Sequence, residues 1–547
     1  MTVLFDRPVR RAPLPAPPAR PAAAARPRRP FGWARHLDVV LAVLAAAAAG
    51  VTRASALGAQ AFSDDEGTYT AQAWSVIHHA TLSPYTYWYD HPPLGWLVLA
   101  LWQTLSAPFT GAATSVGAGR VLMVILAALD AALVFVAGRR LRLSRLAAVL
   151  AAAAWIASPL ALNYSRMVFL DGIGLPLLLG AFVLALTPRR HLWVYAASGL
   201  LLAGAALCKE TLLLWAPAVL LAAWRGSSGR TRPYCLAALA SPALLVLAFY
   251  PLLATLKGEL LPGRDHVSLF SAVAFQLFGR PSGGSPLVAG TASAVQVSAW
   301  LHLDPVLLLA GTAAAGVVLA VRRLHPVSVA VLVPVLVGLR PGYLPDPYVI
   351  ALLPFCALCL AGSLDVAGKA ALSFRRPRLL RAGAALAALA GLLAVVVPAA
   401  NRWPATTRSL DAGHADQTLS ATEAWMAVHV PRHARLLVDD SLWVDLVAQH
   451  RPERDVVWFY KTDFTNNLDP SVARTLPGGY RDFDYVVSSP VLRSALAQYP
   501  AGLGNAKLAL RYSTVLVTLG TGTSRFEVRQ VHVPRGAPAP PKPSRQP

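Results

Sequence analysis

The sequence predicts an all-α polytopic membrane domain followed by a small α/β domain. Of the 547 residues, 55% are hydrophobic and only 14% are charged, whereas soluble domains carry about a quarter charged residues. Long apolar runs alternate with short basic clusters as far as residue 400, and a composition typical of soluble domains begins after that point. These observations exclude an ordinary soluble protein and indicate a multi-pass membrane protein.

The net charge of +22 does not indicate nucleic-acid binding, because the basic residues lie in short clusters between apolar runs. Residues 1–36 are rich in Pro, Ala and Arg without an apolar period, so we expect a disordered basic arm in the cytoplasm. The cysteines lie in or beside apolar stretches and are interpreted as small buried residues. They are Cys208, Cys235, Cys356 and Cys359.

The basic clusters give the orientation of the domain at 37–400, because cytoplasmic loops are enriched in Arg and Lys. Successive clusters leave room for two spans of roughly 17–23 residues, as a ~30 Å hydrocarbon layer requires. The alternation predicts about eleven spans, with the N-terminus inside and the C-terminal domain outside. They lie near 38–57, 119–138, 146–162, 170–187, 192–208, 211–224, 234–256, 301–321, 326–340, 347–364 and 382–400.

The first outer loop, 58–118, contains an apolar segment at 92–109 that we expect at the outer membrane interface. Counting this segment as a span would place the basic cluster RRLRLSR outside.

Residues 401–533 predict a small extracytoplasmic α/β domain. Short β-type runs lie at 434–440, 455–460, 483–489, 513–519 and 525–533. The segments SLWVDLVAQH and SPVLRSALAQ each follow one of these runs and predict helices. The Pro-rich residues 534–547 predict a disordered tail.

The predicted topology places most juxtamembrane polar residues on the outer side. Asp64, Asp65 and Glu66 follow the first span directly. Charged groups close to hydrocarbon are costly, so they tend to face a cavity and to pair. A carboxylate in such a cavity is a candidate general base toward an acceptor hydroxyl or amine. The alternative for this acidic triplet is a charged cap at the membrane boundary.

Arg120, Arg166 and Lys209 supply the opposite charge on the same predicted face. A guanidinium offers a planar fork to phosphate oxygens, and an ammonium adds a point charge. Each cation alone is also explained by snorkelling to the interface. Three cations beside a carboxylate cluster favour an anionic phosphate ligand.

Asp90 and His91 precede two prolines that fix an extended backbone. His266 lies in a different predicted outer loop. A carboxylate and an imidazole from separate loops can together hold a divalent cation, so Asp90 and His266 are candidate ligands of a metal ion such as Mg, Mn, Ca or Zn. No nucleotide cofactor is expected, because the sequence has neither a P-loop nor a GxGxxG motif in a βαβ setting.

The order of these motifs resembles the membrane glycosyltransferases of the GT-C class. More narrowly, it is similar to the protein O-mannosyltransferase and lipid A aminoarabinose transferase group, glycosyltransferase family 39. The matching motifs cover roughly residues 60–350. They are DDEGTY at 64–69, YDHPPLG at 89–95, Gly119-Arg120, SRMVFLDG at 165–172 and CKET at 208–211. RPGYLPDPY at 340–348 resembles a late outer turn of these enzymes.

The resemblance implies a transferase that uses a polyprenyl-phosphate-linked sugar at the outer leaflet. It implies that Asp65 is the base that activates the acceptor, with Glu66 beside it. DHVSLF at 265–270 resembles a loop motif whose His binds a metal, although Leu269-Phe270 stands where that motif has Arg-Phe. The expected substrate-binding residues are Asp64, Tyr69, His91, Arg120, Arg166, Asp171 and Lys209.

The implied partners are the polyprenyl-phosphate-linked sugar donor, the membrane, and an acceptor that is a protein, a glycan or a lipid. The Ala-, Arg- and Pro-rich composition suggests a GC-rich bacterial genome and hence a bacterial plasma membrane. The main alternative is a lipid-sugar or solute transporter or flippase, which would predict broken helices and charged residues near mid-span. A membrane-anchored binding protein is a third possibility.

Overall fold

Helices dominate the part of the chain that the computed structural model describes. That part comprises residues 32–81, 89, 91–106, 111–187, 191–263, 268–280, 282–373, 377–463, 475–498 and 502–541. Most of the predicted basic arm, residues 1–31, and the end of the predicted tail, 542–547, lie outside it. The described residues from Leu41 onward form one compact unit.

A helix lies at each of the predicted spans. In chain order the helices are α1 (Gly32–Ala54), α2 (Asp64–His79), α3 (Leu94–Ser106), α4 (Ser115–Arg140), α5 (Arg145–Ala157), α6 (Pro159–Arg166), α7 (Leu170–Ala185), α8 (Leu192–Cys208), α9 (Ala216–Gly226), α10 (Arg232–Leu256), α11 (Leu269–Ala274), α12 (Ala292–Leu303), α13 (Pro305–Val318), α14 (His325–Gly338), α15 (Leu352–Ala371) and α16 (Arg378–Asp411). Of these, α2 and α3 lie in the predicted first outer loop, where α3 coincides with the apolar segment.

The count of eleven spans that the sequence predicts is not confirmed by the lengths of the helices. Among the described residues, five helices are long and apolar enough to cross a membrane, or up to seven if each bent pair is one span. The pairs α5–α6 and α12–α13 bend by 64° and 105°. The predicted count is not confirmed, because α7, α8, α9 and α14 have only 11 to 17 residues. A straight span needs about 20.

One buried carboxylate joins the two bends. Asp304, between α12 and α13, accepts hydrogen bonds from the backbone N–H groups of Val306 at 2.9 Å and Leu307 at 3.0 Å, which caps α13. It also accepts a hydrogen bond of 2.5 Å from the hydroxyl of Ser158, at the break between α5 and α6. The indole N–H of Trp403 on α16 donates to it at 3.0 Å. Asp304 therefore fixes both bends.

The C-terminal residues form a small sheet covered by helices. Its strands are β1 (Leu436–Val438), β2 (Val456–Trp458), β3 (Tyr485–Ser488), β4 (Ser513–Leu519) and β5 (Phe526–Val531), in the order β2-β1-β3-β5-β4. β1 is parallel to β2 and β3, so that Leu437 pairs with Val457 and Val486. β5 is antiparallel to β3 and β4. All five strands lie within the predicted runs, which confirms the small α/β domain.

The helices of this sheet domain are α17 (Ala415–His429), α18 (Asp440–Ala448), α19 (Pro490–Gln498) and α20 (Gly504–Arg511). As predicted, α18 and α19 follow strands directly. The residues of β1, β2 and β3 are all buried, as expected for parallel strands with helices on their faces.

Helix α2 contributes to two hydrophobic cores. Tyr69 and Ala73 pack in the core of the membrane helices, whereas Ala71 packs in the core of the sheet domain. Trp74 lies at the edge of the second core, where its ring meets the ring of Trp443 edge to face at 5.4 Å. The position of α2 is therefore fixed from both sides.

Gly67 marks the closest approach of α2 to α18. A Cβ atom at this position would lie 2.2 Å from the carbonyl carbon of Asp440 and 2.3 Å from the amide nitrogen of Ser441. Both neighbours are backbone atoms, so no side-chain rotation relieves the clash. Only glycine allows the two helices to meet at this distance.

We expect Gly67→Ala to destabilise the protein by about 1–3 kcal/mol, because the added methyl group overpacks this contact. The free energy of unfolding in detergent measures the effect. Gly368→Ala on α15 is the matched control, since no atom lies within 4 Å of the added Cβ. Alanine favours a helix over glycine by about 0.5–1 kcal/mol, so the control is expected to be neutral or slightly stabilising. Equal losses in both variants would contradict the prediction.

Candidate functional site

The predicted acidic cluster forms the first turn of α2. Asp64 is exposed, and its carboxylate accepts hydrogen bonds from the Ser63 hydroxyl at 3.2 Å and the Asp65 amide at 3.0 Å. Asp65 is partly buried and Glu66 is fully buried. Unpaired N–H groups and the positive end of the helix dipole stabilise carboxylates at this position.

Glu66 is held in a two-pronged ion pair with Arg120. Nε and Nη2 of Arg120 donate to the two oxygens of Glu66 at 2.9 and 2.7 Å, and both side chains are at most 1% exposed. Glu66 also accepts hydrogen bonds from the backbone N–H groups of Ser63 and Val168. This carboxylate therefore joins α2, α4 and the segment after α6.

Arg120 has no N–H group left for an external ligand. Its other N–H groups donate to the backbone carbonyls of Leu57, Gln60 and Ala61. Together with the two bonds to Glu66, these contacts use all five donors of the guanidinium. In this arrangement Arg120 and Glu66 are partners of each other, and the expected contact of Arg120 with a lipid phosphate stays a prediction.

Arg166 joins the ends of α1 and α16. It donates to the backbone carbonyls of Arg53 at 3.2 Å, Thr52 at 2.8 Å and Ser55 at 2.5 Å. It also forms an ion pair of 2.6 Å with Asp411, whose side chain is 30% exposed. Among the described residues, none of its hydrogen bonds reaches α2. These contacts place the guanidinium of Arg166 between the ends of α1 and α16.

A groove of about 600 Å³ opens beside the Arg166–Asp411 pair. Apolar residues of α5, α15 and α16 form most of its wall. Polar groups of Thr52, Ser55, Thr407 and Asp411 lie at one end of it. A groove that is apolar along its length and polar at one end suits a lipid chain with a polar head group.

His91 and Lys209 form a second cluster with Glu210. Lys209 Nζ lies 2.7 Å from His91 Nε2, and His91 Nδ1 lies 3.2 Å from both oxygens of Glu210. An ammonium group only donates hydrogen bonds, so His91 accepts at Nε2 and donates from Nδ1. This tautomer is assigned from the hydrogen-bond network. His91 and Lys209 are both buried.

Asp171 extends this cluster. The hydroxyl of Thr211 donates to Asp171 Oδ1 at 3.1 Å. Asp171 is 3% exposed, and its Oδ2 has no hydrogen-bond partner among the described residues. The carboxylate is coupled electrostatically to Lys209, Glu210 and His91. A buried oxygen without a partner is uncommon and indicates a position where a ligand or water binds.

The structure thus brings together several of the predicted site residues and separates others. Asp65 and Tyr69 lie four residues apart, on one face of α2, and the ring of Tyr69 is 6.2 Å from that of His91. This face leads from the acidic turn to Lys209 and Asp171. Arg120 and Arg166 have other partners.

The two expected metal ligands, Asp90 and His266, lie outside the described residues. Within the described ranges, no group of three or more His, Cys, Asp or Glu side chains is spaced to hold a metal ion.

Asp346 is a site residue that the sequence analysis did not single out. The side chains of Tyr164 on α6 and Gln296 on α12 both donate to its Oδ1. Asp346 is also coupled electrostatically to Asp64. It belongs to the segment RPGYLPDPY. The predicted position of this segment in an outer turn is the one sequence feature that could have indicated Asp346.

Asp440 of the sheet domain is a second such residue. Its Oδ2 accepts hydrogen bonds from the hydroxyls of Thr68 at 2.6 Å and Tyr460 at 3.1 Å. Burial, with a contribution from the nearby charge of Asp64, raises the pKa of Asp440 well above its usual range. No local sequence signal links Asp440 to α2.

The fold is similar to that of solved membrane glycosyltransferases. The apo oligosaccharyltransferase from Archaeoglobus fulgidus is 14% identical, with a TM-score of 0.54 over 90% of this chain and 75% of that chain. Apo ArnT from Cupriavidus metallidurans is 16% identical, with a TM-score of 0.53 over 91% of this chain and 99% of that chain.

The archaeal oligosaccharyltransferase AglB from Archaeoglobus fulgidus, in complex with an inhibitory peptide and a dolichol-phosphate, is 15% identical. Its TM-score is 0.51 over 92% of this chain and 76% of that chain. No protein-family model and no curated protein sequence matches the chain. The solved structures are GT-C glycosyltransferases, and this chain has the GT-C fold.

Proposed function

From the GT-C fold of this multi-pass membrane protein, we propose that it is a glycosyltransferase acting at the outer face of the membrane. It moves a sugar from a polyprenyl-phosphate-linked donor to an acceptor, with Asp65 as the general base. One observation carries the proposal: Glu66 is committed to Arg120, whereas Asp65 is partly exposed on the face of α2 that leads to Tyr69 and His91. The dolichol-phosphate bound to AglB supports a lipid-linked donor.

The reaction is a direct displacement at the anomeric carbon of the donor sugar. The acceptor oxygen or nitrogen forms a bond to this carbon as the bond from carbon to phosphate oxygen breaks. Asp65 takes the proton of the acceptor, and the polyprenyl phosphate leaves with the electron pair. The displacement inverts the anomeric centre. The charge on the leaving phosphate requires a cationic partner in the site.

We assign this cationic role to Lys209. Its ammonium group has three N–H donors, and it lies in the cluster that continues from Asp65 and Tyr69. The bond to His91 fixes the position of the ammonium group. Asp171 Oδ2 is assigned to a hydroxyl of the donor sugar, which would supply the hydrogen bond that this buried oxygen lacks. The groove beside Arg166 is assigned to part of the isoprenoid chain.

Two features favour a lipid-sugar or solute transporter as a second candidate. The pairs α5–α6 and α12–α13 are broken helices, which are common at transport sites. Asp130 lies near the middle of α4, where it is buried and coupled electrostatically to the buried Arg53. Charged groups at this depth often mark a transport pathway.

Labelled donors separate the two candidates. Sealed membrane vesicles containing the protein are incubated with radiolabelled polyprenyl-phosphate sugars and extracts of cell-envelope acceptors. A transferase moves the label from the lipid to an acceptor, where it resists mild acid, and releases polyprenyl phosphate. Label that crosses the membrane but stays attached to its lipid would contradict the proposal and favour the transporter. Membranes without the protein are the control.

A further inference from the structure

The sheet domain meets α2 through the carboxyl ends of its parallel strands. Asp440 lies two residues after β1, and Tyr460 lies two residues after β2. β1 and β2 are neighbours, so both side chains come from one edge of the sheet. In open sheets with parallel strands, this edge commonly carries the functional groups. Here it lies against the first turns of α2.

Two contacts hold α2 against this edge, one through Thr68 and one through Gly67, and Tyr460 supports the first of them from the sheet domain. The hydroxyl of Thr68 donates to Asp440 Oδ2 at 2.6 Å, and the hydroxyl of Tyr460 donates to the same oxygen at 3.1 Å. Gly67, the residue before Thr68, packs directly on the backbone of Asp440 and Ser441. Thr68 is three residues after Asp65, so it lies one helical turn from the proposed base.

We propose that Asp440 is a positioning residue for Asp65, acting through Thr68. This inference rests on the proposed role of Asp65 as the general base. The carboxyl group of Asp440 fixes the first turn of α2 against the sheet domain, and so sets the position of the Asp65 carboxylate relative to the bound acceptor. An error of about 1 Å in such a position lowers a rate by up to ~10²-fold.

Because Asp440 can lose a proton, its positioning role predicts a pH dependence that simple packing does not predict. Among the described residues, the ionisable groups that act most strongly on Asp440 are Asp64 on α2, its neighbour Asp439 and Tyr460. The ammonium group of the buried Lys461 lies 5.5 Å from the Tyr460 ring. Burial and the charge of Asp64 raise the pKa of Asp440 well above its usual range. This raised pKa favours the neutral form of the carboxyl group at the contact.

The sign of the pH dependence follows from this raised pKa. The docked arrangement binds a proton that the separated groups release, so docking is favoured at low pH. As pH rises through the raised pKa, Asp440 ionises beside Asp64 and Asp439, and the contact weakens. Transfer by the wild-type protein is expected to fall on this alkaline side.

Asp440→Asn and Asp440→Ala test the proposal. Asparagine keeps an oxygen for Thr68 and Tyr460 and stays neutral, so it is expected to preserve transfer at neutral pH and to remove the alkaline decline. Alanine loses the contact and is expected to lower kcat about 10- to 100-fold. Thr68→Ala is expected to act like Asp440→Ala, and the double variant to lose no more than either single one. An unchanged alkaline decline in Asp440→Asn would overturn the proposal.

Hydrogen exchange tests the contact without any transfer reaction. The amides of residues 63–70 in the full-length protein are expected to exchange faster in Asp440→Ala than in wild type, and at the wild-type rate in Asp440→Asn. Arg454→Gln, which alters an exposed ion pair with Asp455 within the sheet domain, is the matched control. Equal exchange in Asp440→Ala and wild type would overturn the positioning role even if transfer is confirmed. Absence of transfer in wild type would instead count against the proposed function.

Discussion

Transfer by an Asp65→Asn variant is expected to fall by roughly 10²- to 10⁴-fold. Asparagine has nearly the shape of aspartate, but its amide cannot take the proton of the acceptor. Asp65 is partly buried in the first turn of α2, and the neighbouring Glu66 is committed to Arg120, so Glu66 is not positioned to replace it. The initial rate of label transfer from a polyprenyl-phosphate sugar measures the effect.

Folding of the Asp65→Asn variant is expected to be normal, because the substitution changes one partly exposed group. Arg454→Gln is a control on an exposed side chain of the sheet domain, and it should transfer at the wild-type rate. Its expression level and membrane insertion are compared with those of Asp65→Asn. Wild-type rates in both variants would show that another group takes the proton.

Glu66→Ala is expected to destabilise the protein by about 3–5 kcal/mol, because it leaves the buried guanidinium of Arg120 without its counter-charge. It also removes the acceptor of the backbone N–H groups of Ser63 and Val168. The variant therefore loses stabilising contacts in α2, in α4 and in the segment after α6. The midpoint of thermal unfolding and the yield of folded protein in detergent measure it.

Two controls define the origin of this loss. A Glu66→Met, Arg120→Met double variant removes both charges and should be less destabilised than the sum of the single variants. Glu453→Gln breaks an exposed ion pair with His79 and should cost less than about 1 kcal/mol. A Glu66→Ala protein as stable as wild type would contradict the structural role of the pair.

Hydropathy was sufficient to locate the helices but not to count the spans. A run of apolar residues gives the same signal whether the helix is straight, short or bent, so α7 and α14 were predicted as full spans. The bends had local signals that hydropathy does not use. Ser158-Pro159 and Asp304-Pro305 each place a capping residue before a proline at the first helical position, a pattern typical of a helix start.

The site was predictable where its residues belong to local motifs. Asp65, Tyr69, His91 and Lys209 lie in the motifs that carried the resemblance, and the described geometry links them along one face. Sequence alone could not separate Arg120 from the ligand-binding cations, because a buried structural arginine and a phosphate-binding arginine look alike. The sequence could not indicate a role for Asp440, because its contact with Thr68 joins positions 372 residues apart.

The shared carboxylate of Asp304 has a mechanical consequence. Asp304 accepts hydrogen bonds at the break of both bent helix pairs. Asp346 accepts hydrogen bonds from Tyr164 on α6 and Gln296 on α12, which belong to the same two pairs. Because Asp304 and Asp346 each join the two helix pairs, neither α6 nor α12 can move alone. Any opening that admits a bulky lipid past α6 must therefore move α12 together with α6 as one rigid body.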